Sequence, residues 1–388
     1  LRTTGAGARG CFANADRELN IPVIRGSIQL TTEVRNMKRV ILQSAILTVL
    51  TLIIVFAPNG TRAVAGARQG QQGQTAPPPA QQQPQGNYQI SVSAGLVNVD
   101  AVVTDNDGGF LQGLKKENFR ILEDGKPQII TNFTSAGDAP ITIVMLIEFR
   151  ANMNTGNYSA WIAKTMAPAF LNNIKKNDWI ALEDFDLNMR VDVDFTHDPF
   201  EVMRELQRMQ VPLYSEANLF DAVIETLDRL QDVKGKKSIL ILASGFDTFS
   251  KHHYDECLKR VRQSDVTIYA IGLSQIVLND FQMIGGINSQ VAQNQLRSIS
   301  ELTGGQSWTP DMMAQAPDYM KIIAASLRNQ YTLGYAPPEQ DGKYHKIKVE
   351  LVNADGSPYV QTNQKGKKLK LLVYAREGYT AAKAPVGD

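Results

Sequence analysis

The chain has 388 residues, 43% of them hydrophobic, and its 40 Lys and Arg nearly balance 39 Asp and Glu. That length accommodates two or three domains with their own cores, and the charge balance gives no pull toward a nucleic-acid partner. The only cysteines are Cys11 and Cys257. Since Cys11 lies in a segment expected to be absent from the mature protein, cores and not an intramolecular disulfide must hold the fold.

Residues 1–36 begin with Leu1 and lack strong periodicity, so they read as an extension upstream of a true start at Met37. Met37-Lys38-Arg39, the apolar stretch Val40 to Ala57 and the small residues Ala63-Val64-Ala65 are the three parts of a secretory signal, which assigns residues 37–65 to a signal peptide or signal anchor. The expected location is extracytoplasmic: periplasmic, secreted or membrane-anchored. An apolar run of about 18 residues sits near the lower limit for a bilayer span, so cleavage is the expected outcome. If uncleaved, this segment would be the route to a membrane. Residues 66–87 are mostly Gln, Gly, Pro and Ala, a composition too poor in apolar surface to fold, and read as a disordered linker.

From Tyr88 the pattern alternates apolar and polar residues in short runs: Ile90 to Ser93, Val97 to Val103, Phe119 to Leu122 and Ile129 to Phe133. Turn formers separate them, at Asp105-Asn106-Asp107-Gly108-Gly109 and Glu123-Asp124-Gly125-Lys126-Pro127. Residues 88–138 are therefore the first part of an antiparallel β unit. Asp105 and Asp107 lack the further ligands of a calcium loop and are expected to serve the turn.

Residues 139–329 change to alternating strands and helices, the grammar of a doubly wound, mostly parallel α/β sheet. The uninterrupted apolar run Ile141 to Ile147 predicts a strand buried on both faces, followed by a polar loop and a helix over Tyr158 to Asn173. Trp179 to Phe185 and Met189 to Phe195 predict a hairpin across Asp186-Leu187-Asn188, which would add one antiparallel edge strand. Helices are predicted over Pro199 to Met209, Leu219 to Leu230, Tyr254 to Gln263, Gln293 to Leu302 and Pro317 to Leu327. Strands are predicted over Ser238 to Ala243 and Val266 to Ile271. Residues 330–382 return to period two, with runs at Tyr331 to Tyr335, His345 to Leu351 and Leu369 to Tyr374, and residues 383–388 form a tail. Lone hairpins are marginal in water, so both flanks of the α/β domain are expected to build one β-sandwich.

Val97-Asn98-Val99-Asp100, Leu114 to Phe119, Glu123-Asp124-Gly125-Lys126, Asp184-Phe185-Asp186, Asp194 to Asp198, Arg328-Asn329-Gln330-Tyr331 and Glu377-Gly378-Tyr379 form an ordered set. With these motifs, residues 90 to 382 resemble the exported, acidobacterial-type von Willebrand factor A-related proteins. The resemblance implies a von Willebrand A domain, in which three loops at the C-terminal edge of the sheet hold a divalent ion and leave one position for an acidic residue of a protein partner.

Checked position by position, the ion site is degenerate. The Asp-x-Ser-x-Ser of the first loop is replaced by Glu148, Arg150 and Asn152; the threonine of the second loop falls on Ala217, beside Asn218; the aspartate of the third falls on Ser244, with Asp247 three positions on. A guanidinium at Arg150 would repel a divalent ion within a few ångströms. No cofactor is therefore expected, Mg2+ or another divalent ion included, and the charge of Arg150 is expected either to be solvated or to pair directly with a partner carboxylate. These seven residues are the candidate partner-binding face.

The remaining constellations are weaker. His252 and His253 adjoin on a helix start and diverge, Cys257 reads as a small buried residue, and the lysines from Lys365 to Lys370 read as a defended sheet edge. No nucleophile and base occur at a recognisable spacing. The expected function is a non-enzymatic, exported protein-binding, adhesion or scaffold module. The competing classes are a hydrolase-like enzyme using Glu148 and Asp247 with an unusual metal, and a purely structural envelope protein.

Overall fold

The computed structural model describes residues 96–383, apart from 138, 150–157, 211–215, 274–285 and 364. The upstream extension, the export signal, the linker, the run Ile90 to Ser93, and both Arg150 and Asn152 lie outside the described residues. Among the described residues no helix is long and apolar enough to cross a membrane.

The chain opens with β1 (Val97–Asp105), β2 (Phe119–Glu123), β3 (Lys126–Gln128) and β4 (Asn132–Thr134). After β1, Asp105 turns the chain by accepting the N–H groups of Asp107 at 2.9 Å and Gly109 at 2.7 Å, the structural role expected of it. The predicted break after β2 is shorter than the sequence indicated. Only Asp124 (φ 48°) and Gly125 (φ 81°) turn, as in a two-residue type I′ hairpin, and Lys126 to Gln128 pair back onto β2. Pro127 is tolerated there because β3 is an edge strand and needs no second partner.

The α/β region follows as β5 (Ile141–Glu148), α1 (Tyr158–Leu171), β6 (Trp179–Phe185), β7 (Met189–Thr196), α2 (Pro199–Arg208), α3 (Leu219–Leu230), β8 (Lys236–Ala243), α4 (Tyr254–Gln263), β9 (Thr267–Gly272), α5 (Gly286–Glu301), β10 (Ser307–Trp308) and α6 (Ala316–Arg328). Helix α5 starts earlier than the predicted Gln293, because Asn288-Ser289-Gln290 carries no apolar period to announce it. The last strands are β11 (Gln330–Tyr335), β12 (Tyr344–Leu351), β13 (Leu371–Ala375) and β14 (Gly378–Thr380).

The central sheet runs β10-β9-β8-β5-β6-β7, parallel except for the antiparallel β6–β7 hairpin at one edge. This is the doubly wound order, and its direction reverses between β5 and β8. Every residue of β5 is buried. Ile143, Met145 and Ile147 pack with Met166 and Phe170 of α1, Val202 of α2 and Met320 of α6, whereas Val144 and Leu146 pack with Val223 of α3, Val261 of α4 and Leu296 of α5. Helices on both faces explain why the run is uninterrupted, each fully buried aliphatic contributing roughly 1.5–3 kcal/mol. The chain before β10 passes so close to β9 that a Cβ on Gly305 would lie 1.9 Å from the Ile268 carbonyl oxygen.

The flanks form two four-stranded sheets, β13-β1-β11-β4 and β14-β12-β2-β3. β1 lies between β11 and β13, and β12 pairs with β2, so each sheet mixes the two ends of the domain. Val99, Ala101 and Val103 of β1 and Leu333 of β11 pack against Ile121 of β2 and Ile347 and Val349 of β12 in a core separate from that of the α/β sheet. The β-sandwich built from both flanks is therefore present, as two mixed sheets.

Candidate functional site

In an open sheet of this order, ligands bind beyond the C-terminal ends of the strands where the winding reverses. Glu148 ends β5 and Ser244 directly follows β8, so these two residues flank that point. They are bonded to each other. The Ser244 N–H donates to Glu148 Oε2 at 2.6 Å, and the Ser244 hydroxyl lies 2.8 Å from Oε2 and 3.0 Å from Oε1. Both residues are only 2% exposed. Ser244 Oγ also accepts the N–H of Phe246 at 3.2 Å.

Ala217 is fully buried, and its backbone is tied to the third loop. The Ala217 carbonyl accepts the N–H groups of Thr248 at 2.9 Å and Phe249 at 3.0 Å, and its own N–H donates to Thr248 Oγ1 at 2.9 Å. Asn218 is buried too; its side-chain amide donates to the Leu187 carbonyl at 3.1 Å while its Oδ1 has no hydrogen-bond partner. Asn218 occupies the N-cap position of α3 without capping it. The capping is done from the other loop: Asp247 Oδ1 accepts the N–H of Phe220 at 3.3 Å, and Ser250 Oγ accepts those of Phe220 and Asp221, each at 3.1 Å. Ser250 in turn donates its hydroxyl to Asp247 Oδ1 at 2.5 Å.

Asp221 completes this lattice by accepting the N–H of Lys251 at 2.8 Å and of His252 at 3.0 Å, with His252 Nδ1 at 2.8 Å from the same carboxylate. Burial works against its ionisation, but these hydrogen bonds outweigh burial and hold its carboxyl below the usual range. Asp247 goes the other way. Burial pushes its carboxyl up, the Ser250 and Phe220 hydrogen bonds offset only part of this, and the charge of Asp221 adds to it. Cys257 is fully buried on the inner face of α4, and burial raises its thiol to about 12, as suits an inert packing residue.

These contacts decide whether the residues fit the divalent ion that such a fold implies. A hard cation needs about six oxygen ligands aimed at one point. Here the Glu148 carboxylate accepts from Ser244, the Ala217 position has no side-chain oxygen, and Asp247 is turned to the N-terminus of α3. Among the described residues of the face, Asn218 Oδ1 alone is a buried oxygen without a partner, and it is neutral. Among the described residues the donor set does not fit the ion.

The described candidates, Glu148, Ala217, Asn218, Ser244 and Asp247, are thus brought together at one edge, but Glu148, Ala217, Asn218 and Ser244 are buried and form the floor of the face. Of what the face shows to solvent, the sequence indicated the helix-start histidines but missed Thr248, Phe249 and Lys251. Thr248, Phe249, Lys251, His252 and His253 are exposed, Phe249 at 58%, and they stand on the hydrogen-bonded loop just described. A lone Phe between Thr and Ser has no period to distinguish it from a core residue.

The sheet order and the antiparallel edge hairpin make this a von Willebrand A-like fold. No protein-family model matches the chain, and no curated protein matches it. Among solved structures it is similar to the PilB minor pilin of Streptococcus sanguinis, at 10% identity and a TM-score of 0.38, over 50% of this chain and 62% of the pilin. It is also similar to BatB of Bacteroides thetaiotaomicron, at 13% identity and a TM-score of 0.35, over 48% of this chain and 98% of BatB. A third is the vWF domain of the type V pili tip protein Mfa5 of Porphyromonas gingivalis, at 12% identity and a TM-score of 0.37, over 48% of this chain and 95% of that domain. The chain spans less than two thirds of the pilin's length. At such scores these likenesses add nothing to the strand order, on which the fold class rests.

Proposed function

We propose that the chain is an exported, non-enzymatic binding or scaffold module that engages a protein partner through the C-terminal edge of its α/β sheet without a bridging metal ion. The observation that carries this reading is Phe249, 58% exposed on a loop whose backbone is locked to Ala217 and to the start of α3. A large apolar side chain on a backbone so fixed gains on burial in a partner's pocket, and the loop beneath it loses little entropy in doing so, which is how aromatic anchors work at interfaces. Glu148 and Asp247 are spent on internal hydrogen bonds, which leaves neither free for the hydrolytic chemistry of the competing class. Arg150, outside the described residues, supplies by sequence a permanent cation in the loop next to this face, suited to a partner carboxylate.

The test is a photo-crosslinking phenylalanine analogue at position 249 of the full chain in its native envelope, with and without chelator. A discrete protein adduct that forms equally in chelator is expected, weakened by Arg150→Ser by about 2–5 kcal/mol where the charge pair is buried. Loss of the adduct in chelator, or no adduct at all, would overturn the reading. Mass spectrometry of the mature N-terminus checks export, with a start at Gly66 expected.

A further inference from the structure

A second polar centre lies at one end of the β-sandwich, away from the face just described in both sequence and sheet. Glu123 closes β2, Asp124 opens the turn to β3, and His345 stands near the start of β12. Glu123 and His345 are 3% and 6% exposed. Neighbouring residues of an extended strand point to opposite faces. Asp124 escapes this by adopting φ 48°, and both carboxylates converge on one imidazole.

His345 Nδ1 lies 2.8 Å from Asp124 Oδ2 and 3.7 Å from Glu123 Oε1, and its Nε2 lies 3.1 Å from Asp341 Oδ1. The other oxygen of each ligand carboxylate is already fixed. Glu123 Oε2 accepts the hydroxyls of Tyr335 at 2.5 Å and Tyr379 at 3.3 Å, and Asp124 Oδ1 accepts the N–H of Lys346 at 2.9 Å. Glu123 Oε1 is left: among the described residues it has only His345 Nδ1, beyond hydrogen-bond distance. A nearly buried carboxylate thus keeps one oxygen aimed, without a hydrogen bond, at the point where an imidazole nitrogen and a second carboxylate oxygen meet.

We propose that Glu123, Asp124 and His345 Nδ1 bind a first-row divalent transition ion such as Zn2+, with Asp341 fixing the ring from Nε2. One imidazole and two carboxylates form a donor set of the right kind, and their charges neutralise a dication. Metal bonds of about 2.0–2.2 Å would draw ligand atoms that all lie within 4.8 Å of one another onto one centre by side-chain shifts. With a carboxylate on each ring nitrogen the metal-free imidazole donates from both; the ion would take the place of the Nδ1 proton while Asp341 keeps the one on Nε2. On binding, the Nδ1 proton passes to solvent. The Asp124 side chain is half exposed at the hairpin turn, which gives the ion a route in, and the cations nearby, Lys126 acting on Asp124 and Lys343 at 3.2 Å from Asp341, are on exposed side chains. Glu339 and Asp341 reach the Nε2 side of the same ring, but Glu339 is exposed and among the described residues no hydrogen bond fixes it.

The experiment is Zn2+ titration of the full chain by calorimetry and thermal melting after stripping with chelator, with Co2+ absorption as a spectroscopic readout. One equivalent of Zn2+ is expected to bind at neutral pH and raise the melting temperature. Binding should vanish in Asp124→Asn, which keeps the hairpin because asparagine tolerates the same backbone conformation, and weaken about 10–100-fold in Asp341→Asn. Glu148→Gln at the other face should leave it unchanged, so this site and the protein-binding reading succeed or fail separately. Absence of binding in the wild type would overturn the proposal, leaving His345 as an ion-paired structural residue, as would binding that survives Asp124→Asn or is lost only with Glu339→Gln.

Discussion

The two polar centres are built from similar residue types and end in opposite states. At the edge of the α/β sheet, Glu148 accepts the N–H and hydroxyl of Ser244 and Asp247 accepts from the start of α3, so carboxylates that resemble ion ligands are used as internal acceptors. At the sandwich end, Tyr335, Tyr379 and Lys346 each hold the far oxygen of a carboxylate and leave the near ones turned to His345. A carboxylate's chemistry is set by how many donors reach it, and backbone N–H groups from helix starts and loops are the strongest competitors for its oxygens. The centres also differ in how the chain builds them. The first lies within the α/β region, between residues 148 and 252, and the second joins residues 123–124 of one flank to residues 341–345 of the other.

The largest expected effect tests this difference in assembly. Removing residues 330–388 strips β1 of both its neighbours and β2 of β12, and should abolish the sandwich while the α/β sheet survives. Hydrogen exchange reads this directly: protection across β1 and β2 should fall to that of an unfolded chain, and retained protection there would show that the first flank folds alone.

A smaller effect is expected at the closed centre. Ser244→Ala deletes the hydroxyl that donates to a carboxylate 2% exposed, and hydrogen bonds to charged groups contribute about 1.5–3 kcal/mol. Chemical denaturation should show a loss of that order. A neutral result would mean that Glu148 finds its donors elsewhere and that the face is less closed than the distances indicate.

The smallest concerns a carboxylate in the α/β sheet that neither pattern serves. Asp192 sits where the β6–β7 register shifts, and its Oδ2 is buried without a partner. Burial and the charge of Asp184 push its carboxyl up to about 7. A raised folded-state value means that the folded chain holds the proton more tightly, so stability is lost as pH rises from about 4 through about 7. Asp192→Asn should therefore raise the melting temperature at pH 8 and leave it nearly unchanged at pH 4. Equal shifts at both values would remove the titration from the account.

Much of the fold was legible because one-dimensional signals carried it. The run Ile141 to Ile147 has the composition of a strand covered on both faces, and Leu219 to Leu230 and Tyr254 to Gln263 have helical periods that end where the helices end. The hairpin across Asp186-Leu187-Asn188 is readable from spacing alone, whereas Lys126 and Pro127 read as part of the turn because Pro127 masks an edge strand. The replaced positions of the ion site were likewise visible as residue types.

What the sequence determined by itself was the period, the composition and the residue available at each position, since these act over a few neighbours along the chain. Only the tertiary structure decided that Asp247 and Ser250 cap a helix nearly thirty residues upstream of them, that Glu148 is closed by Ser244 across 96 positions, and that Glu123 and Asp124 meet His345 across more than 220. Hydrogen-bond partners at such separations leave no periodic trace, because they are chosen by which loops the strand order brings to the same edge. The side chains were written in the sequence; their donors were assigned by the fold.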